Sequence, residues 1–272
     1  MEKLPFIRGK NNQPPGTAVP KPVVLRKHGT TLPIPKIRRI EPGRTLLIPQ
    51  RADNEREAVA RVWETAGGKV HRVRRIWEPD PSFKEQCVCV YGNAIFCQVL
   101  ADSLNLRLLG PPDDFLTSLP EELLGRSVFV TRLDNARTLS YPSFVKSLPA
   151  KLFTSGIVSS LERLNNLTSG LGGDTGLLVS EVVRFEAQAR AFIYDQRVLD
   201  CAVYRGRSEL EPLIEVAEVV AKLENTPFGF AVDFGKLAER WVVVKVHPAW
   251  GARLKGCDPD KVVLSIAAAT RA

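Results

Sequence analysis

Between Arg44 and Leu109 short apolar strands alternate with amphipathic helices, and no other feature restricts the fold as much. Arg44-Thr-Leu-Leu-Ile-Pro49 is an apolar strand ended by a proline. From Asn54 to Thr65, Ala58, Val59, Val62, Trp63 and Ala66 fall on one helical stripe, and Gly67-Gly68 stops it. Val70 to Ile76 and Cys87-Val-Cys-Val-Tyr91 read as further strands, with a second helix from Ala94 to Leu104 before Leu106 to Leu109. Strands joined through helices predict a small parallel sheet covered on its faces. Pro111-Pro112-Asp113-Asp114 breaks this pattern, and its two carboxylates are expected to cap the next helical turn rather than to serve acid–base chemistry.

With 44% hydrophobic and 25% charged residues, a chain of 272 residues can bury one large core or two modest ones. It has no apolar run of membrane-spanning length, and Met1 to Arg8 lacks the apolar centre of a secretory signal, so a soluble, cytoplasmic protein without membrane contact is expected. Cys87, Cys89, Cys97, Cys201 and Cys257 show no zinc-like pairing and are expected to be reduced, buried thiols. His28, His71 and His247 are the only histidines, which disfavours a catalytic cysteine.

The formal net charge of +8 resides in residues 1–44, where ten Lys or Arg face two glutamates, and the other 228 residues balance. Eight prolines and little amphipathic periodicity make this segment an expected extended or disordered arm. Two readings of it stand side by side. It contacts a nucleic acid, an acidic protein or another anionic surface, or it is a solvated arm lying across the body.

Farther on, Ser127-Val-Phe-Val-Thr131 is a strand, and Phe144 and Val145 are strand-like beside Lys146 and Lys151, which flank a short turn. Lysines on adjoining strands can hold a polyphosphate, although paired surface lysines on a hairpin are common.

The order of segments from about residue 45 to 272 resembles a small clade of the ATP-grasp superfamily, the one characterised by two arginines and a lysine. The residues that carry the resemblance include Leu47-Ile48-Pro49 with Trp63, Phe144-Val-Lys146 with Lys151, Val179-Ser180-Glu181-Val182-Val183 with Arg190, Val232-Asp233-Phe234-Gly235, and Pro248-Ala-Trp250-Gly251. The resemblance implies an α+β class, with a two-lobe ATP-grasp fold over 126–272 preceded by a small α/β domain over 45–125 and the arm over 1–44. By the same resemblance ATP lies between the lobes, with Lys146 and Lys151 on its phosphates and adenine. Glu181 and Val183 belong to the hinge against the base, while Tyr204 lines the cleft. Arg190 and Asp233 are the implied catalytic residues.

The superfamily's chemistry is ATP-dependent ligation, in which phosphate passes to a carboxylate and an amine or other nucleophile displaces it. Such transfer needs Mg²⁺ on oxygen ligands. Asp233 occupies one expected ligand position. Lys245 and His247, two apart and therefore on one strand face, take the places of a glutamate and an asparagine. Gln188 replaces another glutamate and Lys255 a tyrosine, so all four departures make the cleft more positive. An ammonium cannot coordinate magnesium and imidazole suits softer metals, so His247 would be a metal ligand only with Asp233 and a softer ion. Three readings follow: an active ATP-grasp ligase acting on a carboxylate and an amine not specified by the sequence, a catalytically degenerate module binding nucleotide or another polyanion with Lys245 standing in for the cation, or a platform whose arm recruits a nucleic acid or acidic partner.

Overall fold

The computed structural model describes residues 40–224 and 226–271. The expectation for the basic arm therefore falls almost wholly outside the described residues. Its last five positions do not: Ile40 is buried, and Arg44 donates to the Thr270 carbonyl at 3.0 Å.

Strand β1 (Thr45–Pro49), helix α1 (Asn54–Thr65), β2 (Lys69–Val73), β3 (Val88–Val90) and α2 (Ala94–Leu104) follow the expected alternation. The three strands are parallel, in the order β2-β1-β3. Asp53 caps α1 by accepting from Arg56 N at 3.2 Å, and Glu55 and Glu57 favour its positive first turn. Val59, Ala60 and Trp63 form the buried stripe, whereas Ala66, expected on it, is exposed just beyond the helix end. The Trp63 indole donates to Arg44 O at 3.0 Å, so a large apolar ring is buried without an orphaned N–H. Asn93 caps α2 in the same way, accepting from Phe96 N at 2.9 Å. The strand expected over Leu106 to Leu109 is β4 (Arg107–Leu108). It lies outside the parallel sheet and pairs antiparallel with β13 (Thr270–Arg271) at the far end of the described chain.

Two antiparallel four-stranded sheets make up the rest. After α3 (Glu121–Leu124), the first has the order β5 (Val128–Arg132), β8 (Gly176–Glu181), β6 (Ser143–Leu148), β7 (Gly156–Val158), with α4 (Leu161–Leu167) packed against it. The second has the order β10 (Arg197–Arg205), β9 (Ala187–Tyr194), β11 (Gly229–Leu237), β12 (Arg240–Pro248), between α5 (Glu211–Ala221) and α6 (Pro259–Ala268). The two-residue Asp195-Gln196 loop joining β9 to β10 has φ +49° and +60°, matching the twist of an antiparallel hairpin.

Period-two alternation on this second sheet sets up the site. Ala189, Ala191, Ile193, Phe230, Val232 and Phe234 join the core that includes α5 residues. On the opposite face Phe192 and Ala231 join the core containing α6, and Arg190, Asp233 and His247 follow along that same face. This core also holds the β1–β3 sheet, so α6 ties the first sheet to the second.

The cysteines are free, as expected, but Cys87 is exposed and Cys201 half-buried. Burial pushes the Cys89 thiol up to about 12, which keeps it protonated and unreactive. Among the described residues no helix is long and apolar enough to cross a membrane.

Candidate functional site

Asp233 is paired across β11 with Arg190 on β9 and Lys245 on β12, so all three side chains leave the same face of the sheet. The Arg190 guanidinium forks onto the carboxylate, Nε to Oδ1 at 2.7 Å and Nη2 to Oδ2 at 2.8 Å. Its third nitrogen, Nη1, donates to the Arg253 carbonyl at 2.6 Å. His247 Nε2 lies 2.8 Å from Asp233 Oδ2.

Burial alone would raise the Asp233 carboxyl, but the hydrogen bonds from His247 and Arg190 and the guanidinium charge hold it at about 2. Asp233 is therefore an anion and only accepts. The proton on the short contact must belong to His247 Nε2. Burial lowers the imidazole pKa below its ordinary value, so this donor is the neutral ring.

A β-bulge at Val244 keeps Lys245 in register opposite Asp233. Surrounding protein disfavours the Lys245 ammonium although the residue keeps solvent access. Asp233 opposes that effect, and the charges of Lys146, Arg190 and Lys151 reinforce it. The positive charges of Lys146, Lys151 and Arg190 thus reach Lys245, which is paired opposite a carboxylate that is already occupied.

Lys146, on β6, donates to the Asp113 carbonyl at 3.1 Å and to its Oδ1 at 3.3 Å, while Oδ2 accepts from Ala150 N at 2.8 Å. The Asp113 side chain therefore fastens the lysine loop instead of capping the following turn. At Asp114 the cap is made without the carboxylate, by a carbonyl that accepts from Thr117 N at 2.8 Å. Lys151 is exposed at φ +78°, a conformation that side-chain-bearing residues rarely adopt and that recurs at functional loops.

Tyr204 occupies the second bulge of β10, half-buried, with Lys255 Nζ 4.5 Å from its ring centroid. Burial, followed by the Asp233 charge, raises its phenol pKa, so the ring borders the same cluster. Glu181 stands apart from that cluster. It is exposed at the end of β8 and accepts from Ser127 N at 3.4 Å. Val183 lies half-buried in the link between the sheets, and among the described residues Val182 to Phe185 make no backbone hydrogen bond. Their N–H and C=O groups remain available to a planar ligand edge.

One residue central to this architecture carries no local signal in the sequence. Arg126, buried before β5, donates to the carbonyls of Leu124, Val243 and Val244 at 2.9, 2.8 and 3.2 Å and to Ser180 Oγ at 3.0 Å. It also lies 5.8 Å from the Phe185 ring centroid. One guanidinium thus joins β8, the inter-sheet link and the β12 bulge. Nothing in local spacing marks such a residue, because its partners lie up to 118 positions away.

Residues 123–264, just over half the chain, match the ATP-grasp domain of the clade named for two arginines and a lysine, in the second of its families. The chain belongs to the ATP-grasp superfamily. Its fold is similar to that of the RimK domain protein ATP-grasp from Sphaerobacter thermophilus DSM 20745, at 14% identity and TM-score 0.55, over 83% of this chain and 98% of the other. It is also similar to D-alanine–D-alanine ligase from Bacillus anthracis, at 11% identity and TM-score 0.51, over 84% and 97% of the two chains. Comparison with curated proteins found no match.

The ATP-grasp cleft of this chain has donors suited to an anion. For magnesium it does not fit. Three hydrogen bonds occupy three of the roughly four lone-pair positions of Asp233, and Lys245 is paired opposite it on the same face of the sheet. Among the described residues no group of three or more Asp, Glu, His or Cys side chains could hold a metal. Asp233 and His247 are together, as expected of metal ligands, but they are bonded to each other.

Proposed function

We propose that this ATP-grasp domain binds ATP between its two antiparallel sheets and holds the phosphates by lysines rather than through Mg²⁺. The observation that carries this reading is the closed Arg190–Asp233–His247 cluster with Lys245 opposite Asp233. An ammonium about 5 Å from a divalent cation, at an effective dielectric of about 20, repels it by roughly 7 kcal/mol. The same ammonium attracts a phosphate. Lys146 and Lys151 supply further positive charge from the other sheet, and the unpaired backbone from Val182 to Phe185 suits the adenine edge.

Under this reading Arg190 is a structural partner of Asp233, since its fork is filled from within the protein. Phosphoryl transfer to a carboxylate, followed by amine attack, uses a metal held on oxygen donors, and among the described residues no such set stands ready. The degenerate binding module is accordingly preferred to the ligase, and its ligand is ATP.

The test is calorimetric titration of ATP and of AMP into the protein in EDTA. Saturable ATP binding, with AMP much weaker, is expected, and Lys146→Ala should weaken ATP by roughly 1–3 kcal/mol. Absence of ATP binding in EDTA would end the metal-free reading. An unchanged affinity in Lys146→Ala would remove that lysine from the site.

A further inference from the structure

Trp77 is 72% exposed, more than any other large apolar residue among those described. The other three tryptophans of the chain, Trp63, Trp241 and Trp250, are buried. Left in water, an indole forgoes the gain that burial brings, so its exposure calls for a reason. It follows a basic stretch. Lys69, Arg72, Arg74 and Arg75 fall within seven positions, with His71 between them, and all five are exposed. The stretch covers β2 and the turn after it, and β2 stands at the edge of its sheet. Charge on an edge strand guards against edge-to-edge pairing. That purpose accounts for Lys69 and His71 but not for an exposed indole two residues beyond the last arginine, which itself invites association.

The cations differ in what already holds them. Arg72 forks onto Glu57 of α1, Nε to Oε1 at 3.2 Å, and that contact holds the glutamate below the usual carboxylate range, so Arg72 is engaged within the fold. Arg75 is not, because its 3.5 Å contact with Glu78 joins side chains 76% and 74% exposed, and such pairs contribute little. Lys69 and Arg74 have no carboxylate within ion-pair distance among the described residues. The next acid after Glu78, Asp80, is spent as a cap that accepts from Ser82 N at 2.9 Å. Glu78 N donates to Arg75 O at 3.4 Å, which closes a turn around Trp77. Arg74, Arg75 and Trp77 therefore stay within about 11 Å of one another along the backbone.

We propose that β2 and the turn after it form a contact surface for single-stranded nucleic acid, with Trp77 stacking on an unpaired base and Lys69, Arg74 and Arg75 holding phosphates. An exposed aromatic face among Lys and Arg is the chemistry that such a strand needs. The indole takes any base through its π-face, while ammonium and guanidinium groups neutralise the backbone. A duplex keeps its bases stacked on one another and offers Trp77 no free face. The proposal is independent of the nucleotide reading, because no residue of the ATP cleft takes part.

The experiment titrates labelled oligothymidylate of about 12 nucleotides, within the range of single-strand site sizes, into the full chain at low salt. Intrinsic tryptophan fluorescence and anisotropy of the label are read together. Because Trp77 is the exposed indole, quenching reports contact at this surface. Saturable quenching is expected, with at least fivefold weaker binding and loss of the quenching in Trp77→Ala. Lys69→Gln/Arg74→Gln/Arg75→Gln should bind at least tenfold more weakly. In that variant the slope of log affinity against log salt should flatten by about 2, at about 0.7 per phosphate contact on a single strand. All four residues are exposed, so both variants should melt with the wild type, which checks the fold. No saturable binding, or an affinity unchanged in the triple variant, would overturn the proposal. Anisotropy without quenching would overturn it too, by placing the contact elsewhere in the chain. Equal binding and quenching by polyglutamate would make the partner an acidic peptide instead.

Discussion

Removing the Asp233 carboxylate would leave the Arg190 guanidinium, 3% exposed, without its counter-charge in the sheet face. Breaking one side of a buried pair costs far more than the pair contributes relative to apolar packing. Asp233→Ala is accordingly expected to lower the unfolding free energy by about 3–5 kcal/mol in urea denaturation, and a loss under about 1 kcal/mol would mean the pair is not formed. The same carboxyl makes stability depend on acid. Its folded pKa of about 2 lies below the ordinary 3.8, so the unfolded chain takes up the proton first. The stabilisation, roughly 2 kcal/mol, is complete above about pH 4 and disappears as the pH falls toward 2. Comparing wild type with Asp233→Asn across that interval isolates the effect. Parallel pH profiles would argue against it. At this scale the sequence disclosed that Lys245 and His247 share a face, since they are two apart. It did not disclose the Arg190 fork, which depends on the register between β9 and β11, nor the turn of Asp113 toward Lys146.

The elements that meet at the cleft are held by close backbone approach and by Arg126. At Gly235 on β11 any Cβ would lie within the Phe185 ring, so glycine is what allows that ring to cross the strand beside Arg126. Gly235→Ala should therefore cost about 1–3 kcal/mol by overpacking. Adding Phe185→Ala should recover part of the loss, and urea midpoints of the two variants test the coupling. If the single variant is as stable as wild type, Phe185 is not fixed there. Helices α1 and α2 were readable to the residue because caps, apolar stripe and stop signals coincide locally. The pairing of β4 with β13 was not, because the partner strand comes from the other end of the chain and two-residue strands carry no periodicity.

For the molecule as a whole, the parallel sheet and the second antiparallel sheet share a core through α6, the first antiparallel sheet has its own core with α4, and the proposed nucleotide cleft lies between the two antiparallel sheets. The α+β class and the ATP-grasp fold were legible from the order of motifs, and Lys245 and His247 are the residues on which the metal-free proposal began. Sequence alone left open whether the Asp233 oxygens are free for a metal, since that depends on which of them are already bonded. In the proposed function the cations of this cleft do the work of a metal ion. Its most direct test is calorimetric titration of ATP, with and without Mg²⁺, into wild type and into Lys245→Glu/His247→Asn. Wild-type affinity indifferent to Mg²⁺ and variant affinity that requires it are expected. Tight, Mg²⁺-dependent binding by the wild type would overturn the metal-free reading, because the ion would then have ligands other than those around Asp233.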